Sequence, residues 1–155
     1  MKTRIWRTRT ERDWSLILLP FQFDNILNMK LRTTGNSVRL RLSMKDLRSL
    51  ADTGVVEEKL RISDGENGAL TYRLTTSGDI SEISADLATN ELTISLSTEL
   101  ADSLINTDRV GCEATQGLNG NRLTILVEKD FTCLTPRAGD DDKDAFPHPL
   151  TEQAY

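Results

Sequence analysis

The chain has 155 residues, a formal net charge of −5, 37% hydrophobic and 5% aromatic side chains, and two cysteines. At this length two separate domains of about 75 residues would each be marginally stable, since small units bury little surface, which favours one compact domain or two half-units sharing one core. That core must be aliphatic, and two cysteines allow at most one disulfide, so no disulfide framework holds the fold.

Residues 1–28 place Lys2, Arg4, Arg7, Arg9 and Arg12 ahead of the run WSLILLPFQF, which is broken by Pro20. The run is too short to span a bilayer, and no small-x-small cleavage pattern follows it. The segment reads as an extension outside the fold, which opens at Met29.

From Met29 a short strand is expected to Arg32, followed by a turn at Thr33-Thr34-Gly35-Asn36 and a return strand from Ser37 to Leu42. Val38, Leu40 and Leu42 alternate with Arg39 and Arg41, the period of a strand with one wet face. Ser43 stands where a helix cap belongs, with Asp46 in the position that a capping box gives to Glu or Gln. Met44, Leu47, Leu50 and Ala51 make an apolar stripe at helical spacing, and Gly54 is placed to end the helix. Strands follow from Val55 to Ile62 and from Ala69 to Leu74, joined by a turn-rich loop.

The same order then returns. GNSVRLRLSMKDLRSLADTGVV (Gly35 to Val56) aligns with TNELTISLSTELADSLINTDRV (Thr89 to Val110), 54 positions later, with seven identities. These are Asn36/Asn90, Leu42/Leu96, Ser43/Ser97, Ser49/Ser103, Leu50/Leu104, Thr53/Thr107 and Val56/Val110. Inner positions are kept as Leu92, Ile94 and Leu96, while the outward Arg39 and Arg41 become Thr93 and Ser95. Ser97 caps a second helix, and Val110 to Ala114 and Arg122 to Val127 close the second unit, with Val110, Cys112 and Ala114 facing inward. The expected fold is therefore α+β: a duplicated strand-turn-strand-helix-strand-strand unit (about residues 29–75 and 79–127) forming a fused pseudo-dimer. Its β-rich, barrel-like core carries two short helices within a domain spanning residues 29–134. Residues 135–155 form an acidic tail, in which Phe146 is a second anchor point.

Charge divides along the repeat. Residues 29–75 hold nine basic and six acidic side chains, whereas residues 76–134 hold three basic and ten acidic. One mildly basic and one strongly acidic half are expected, a poor match to continuous duplex DNA and a better one to an asymmetric partner.

Chemistry is sparse. The sequence has no phosphate-binding loop, dinucleotide fingerprint, nucleophile elbow or zinc-spaced Cys/His set, and His148 is its only histidine. Glu128, Asp130 and the acidic tail do not match a calcium loop. No catalytic residue, metal or cofactor is expected, and the two thiols read as buried, reduced residues of a cytoplasmic protein.

The order GNSVRLRLS, capped helix, strand, glycine-containing turn and strand resembles the AbrB/MazE-like swapped-hairpin family, whose members interlace two short units into a β-rich barrel. The resemblance implies DNA contact through basic side chains on the first strand and around the Gly-Asn-Ser turn, here Lys30, Arg32, Asn36, Arg39 and Arg41. The second copy departs from that pattern, with Thr89 and Glu91 in place of Gly35 and Ser37. The full chain, with its VEKDFTCL and DAFPHP segments, also looks like a small bacterial family of uncharacterised function. Two readings follow. The first is a non-enzymatic module that binds another protein or assembles with itself, without integral membrane association. The second is an AbrB-like DNA-binding regulator or antitoxin.

Overall fold

The computed structural model describes residues 29–117, 120–132 and 144–149. The expected extension at residues 1–28, Cys133 and most of the acidic tail lie outside these. Eight strands and two helices occur in the order β1 (Lys30–Thr33), β2 (Ser37–Leu42), α1 (Met44–Thr53), β3 (Val55–Arg61), β4 (Ala69–Ser77), β5 (Ile83–Ala88), β6 (Glu91–Ser97), α2 (Thr98–Asn106), β7 (Gly111–Gln116) and β8 (Leu123–Lys129).

Local chemistry sets these boundaries. Along β2 every second residue is buried, Val38, Leu40 and Leu42, as the alternation requires. Ser43 Oγ accepts from the Asp46 N–H at 3.2 Å and Asp46 Oδ2 accepts from the Ser43 N–H at 2.7 Å, so the capping box closes with aspartate in the glutamate position. Gly54 ends α1 at φ +73°, a left-handed conformation that glycine adopts without strain. In α2 the cap persists, with Ser97 Oγ accepting from the Leu100 N–H, but leucine in the third position leaves no reciprocal bond.

The strands form two four-stranded sheets, ordered β1-β2-β8-β7 and β3-β4-β6-β5. Each sheet combines a hairpin from the first half of the chain with one from the second. The joins are parallel: β2 pairs with β8 (Ser37 opposite Thr124) and β4 pairs with β6 (Thr71 opposite Glu91). Helix α1 carries the chain from the first sheet to the second, and α2 carries it back. Exchanging the hairpins maps one sheet onto the other in register, for Val38 opposite Ile125 corresponds to Leu92 opposite Tyr72.

The sheets stay open. Strands β1 and β7 edge one sheet and β3 and β5 the other, so the expected barrel-like closure is corrected to two layered sheets. The edges meet through a side chain rather than a ladder. Gln116 accepts from the Ala85 N–H and donates to the Ala85 carbonyl, both at 2.7 Å, standing in for a strand partner at that point of β5. One hydrophobic cluster fills the space between the layers, drawing Leu40, Leu42, Ile125 and Val127 from one sheet, Val56, Leu74, Ile94 and Leu96 from the other, and Leu50 and Leu104 from the helices.

One aligned pair is not equivalent in space. Val56 is fully buried opposite Leu74, but Val110 is 56% exposed, and the residue in the Val56 position is Cys112, opposite Val127. Two residues separate Thr53 from Val56, whereas four separate Thr107 from Cys112. The longer connection after α2 moves Val110 out of the core face. Cys112 itself is buried, and burial pushes its thiol pKa up, which suits packing rather than reactivity.

Beyond β8 the chain stays pinned. Asp130 N–H continues the parallel ladder to the Leu42 carbonyl, and Phe146 N–H donates to the Asp130 carbonyl. The Phe146 ring lies 5.9 Å from that of Phe131 and 5.4 Å from Lys129 Nζ, so Phe146 is an anchor as the sequence indicates.

The offset at Val110 is directly testable. Val56→Ala is expected to cost about 2 kcal/mol through lost burial and a cavity, whereas Val110→Ala is expected to change stability by about 0.5 kcal/mol or less. Urea unfolding of the two variants measures the difference.

Candidate nucleic-acid interface

The outward face of the first sheet collects the sequence-predicted basic residues. Lys30 of β1 stands opposite Arg41 of β2, which stands opposite Glu128 of β8; one step on, Arg32 stands opposite Arg39. Parity places all of them on the side away from the core.

Acidic residues from the other end of the chain meet them there. Lys30 Nζ lies 2.6 Å from Asp130 Oδ2, Arg41 Nε donates to Glu128 Oε1 at 2.7 Å, and Arg39 lies 3.5 Å from the same oxygen. Of the four basic side chains, Arg32 alone makes no ion pair among the described residues, and it is exposed. The expected separation into a basic and an acidic half is thereby corrected. The parallel β2–β8 pairing puts basic β2 beside Glu128 and Asp130, and the charges of the two halves meet on one surface. Glu57, by contrast, faces the outside of the second sheet and holds Arg73, which also reaches Glu91 of β6 at 3.0 Å.

Asn36 is occupied by the fold. Its side-chain amide donates to the Arg122 carbonyl at 2.6 Å, and the Asn90 amide donates to the Asn67 carbonyl at 2.8 Å. Each Asn carbonyl also accepts a strand N–H, from Thr124 and from Thr71 respectively. The Asn36/Asn90 identity thus has an architectural cause: both residues tie a hairpin turn to the strand that arrives from the other half.

A second cluster was not visible in the sequence. Where the chain enters the fold, Glu58 of β3, Tyr72 of β4 and Met29 come together. Glu58 Oε1 is buried without a hydrogen-bond partner, and Tyr72 Oη donates to the Met29 carbonyl at 3.0 Å. Desolvation raises the Glu58 pKa and the Asp46 charge adds to it, while the Met29 N–H pulls it down. Tyr72 is raised by burial first, then by Glu58 and Asp46. The sequence signal for this cluster is a glutamate in the inward phase of β3, between Val56 and Leu60.

That inward face of the second sheet also outruns its cover. In the phase of Val56 and Leu74, the row continues to Leu60 (52% exposed) opposite half-buried Leu70, and Ile62 beyond it is 71% exposed. On β5 the same phase ends at Leu87, 67% exposed and opposite Leu92.

Among the described residues no group of three or more His, Cys, Asp or Glu side chains is placed to hold a metal ion, and no helix is long and apolar enough to cross a membrane. Residues 29–150 match a family of unknown function, DUF7009, and the chain belongs to that family. No curated protein and no solved structure matches it.

Two outcomes are expected. Glu128→Gln releases Arg39 and Arg41 from their shared carboxylate, so retention of duplex DNA at low salt should rise and its salt dependence steepen, at a stability cost of about 1 kcal/mol or less. Gel retardation over a salt series and urea unfolding check both parts. For Glu58, a raised native pKa means that the folded state binds more protons than the unfolded one between the ordinary glutamate value and the native value. Its contribution is therefore favourable at low pH and is lost as pH rises through that window. In the 155-residue chain, Glu58→Gln should gain stability relative to the parent as pH rises above the ordinary glutamate value of about 4, as thermal midpoints across pH will show.

Proposed function

We propose that the chain is a duplicated, hairpin-exchanged pseudo-dimer that works by binding another protein, or a second copy of itself, and not by catalysis. The observation that carries this reading is the uncovered apolar end of the second sheet. Leu60, Ile62 and Leu87 continue the core face into solvent beside the open edges of β3 and β5. Apolar side chains gathered at a sheet end mark an interaction surface, and an open edge offers backbone groups to a partner strand.

The exchange of hairpins is also what the swapped-hairpin resemblance implies for the fold, and it supports the duplicated reading. It does not carry DNA binding with it. Three of the four basic side chains on the outward face of the first sheet are held by Glu128 and Asp130, and Asn36 is engaged by Arg122. Phosphate contact would have to displace those carboxylates, which lowers the net gain from counterion release.

Sedimentation of the intact protein, together with affinity capture from its host at low salt, tests the proposal. A self-associated species or a stoichiometric protein partner is expected, and the double variant Leu60→Lys, Leu87→Lys should abolish it without changing the circular dichroism spectrum. A single-chain species that captures no partner would sink the proposal. Retardation of duplex DNA that disappears with Arg32→Ala and Arg39→Ala would instead establish the regulator reading.

A further inference from the structure

The chain enters the fold at Met29, and it enters buried. The Met29 side chain is 2% exposed, its carbonyl accepts the Tyr72 hydroxyl, and its backbone nitrogen faces the Glu58 carboxyl. Glu58 Oε1 is the one buried side-chain oxygen or nitrogen among the described residues left without a hydrogen-bond partner. Asp46, fully buried at the start of α1, adds its charge to the same region. Lys30, the next residue, points to the other side of the sheet and is paired with Asp130.

A peptide nitrogen is a poor match for this surrounding. It offers one donor and no charge to a carboxylate with an orphan oxygen, beside a second acid. An α-ammonium at the same atom has three donors and a positive charge, enough for both Glu58 oxygens. We propose that Glu58 is a binding site for the α-ammonium of Met29, and that Met29 is the amino terminus of the working protein. Two observations independent of Glu58 agree. The family match starts at residue 29, and the residue there is methionine, the type with which translation begins.

The proposal does not depend on the interaction reading, and it changes the role of Glu58. With a peptide nitrogen the half-buried carboxyl keeps one oxygen without a partner. With an ammonium it becomes half of an ion pair, whose partner amine has its pKa raised. Such an amine contributes stability that is fully present below its unfolded value, about 7.7–8.0, and is lost as pH rises through the folded value.

The first measurement is the amino terminus of the protein purified from its own host, by mass spectrometry of terminal peptides. Met29 should be the major terminus; peptides running through Asn28 and Met29 as the major species would overturn the proposal. The second uses a chain starting at Met29, which holds every described element and the whole described core. Its α-amino group should acylate with a pH midpoint above that of a free peptide, and Glu58→Gln should return the midpoint to the peptide value. Glu58→Gln should also destabilise this chain at neutral pH, the reverse of its effect in the 155-residue chain. An unshifted midpoint in the unsubstituted protein overturns the ion pair even where the variant fails to fold.

Discussion

Two parallel strand pairings hold the molecule together. A lone two-stranded hairpin is marginal in water, and each of the four hairpins here gains its third neighbour across the β2–β8 or β4–β6 seam. The other features follow from those seams. The helices connect layers because the hairpins each one joins, β1–β2 to β3–β4 and β5–β6 to β7–β8, belong to different sheets, and the core is shared because each layer is built from both halves. Asn36 and Asn90 sit at the two ends where the seams begin, each bonding to the far side by side chain and backbone.

The seams also govern the surface electrostatics. Residues far apart in the chain become lateral neighbours, so the lysine and arginines of β1 and β2 lie beside Glu128 and Asp130. A charge asymmetry that is real along the chain is cancelled across the sheet. These pairs set a half-exposed cation against a more buried carboxylate; one effect is to lower the positive potential that a polyanion would meet. Among the described residues, the end of the second sheet leaves Leu60, Ile62 and Leu87 exposed.

Features with a local cause were legible in the sequence. Alternation around Arg39 and Arg41 marked β2, Ser43 and Asp46 marked the start of α1, and Gly54 marked its end, because each depends on residues within one turn or one pleat. Pairing between distant strands was not legible from composition, and summing charge by halves therefore misdirected the electrostatic reading. The Val56/Val110 identity misled for a different reason: a shared letter records descent or chance, while burial records the path of the chain, and the longer connection after α2 altered that path. The Glu58 cluster has no local sequence mark beyond the glutamate's inward phase, because its surroundings come from three separate segments, at Met29, Asp46 and Tyr72.

The two seams differ in how far the chain must travel to close them. Thr71 finds Glu91 after a short excursion through β5, whereas Ser37 waits for Thr124 near the far end of the described fold. That loop is roughly four times longer, which adds roughly 1 kcal/mol of closure entropy. During synthesis the consequence is a matter of order. The second sheet can assemble while the ribosome is still working, but the β1–β2 hairpin, made first, has no lateral neighbour until β8 emerges. The earliest segment of the nascent fold is thus the last to be secured, and it spends that interval with an apolar face uncovered, where a chaperone can recognise it.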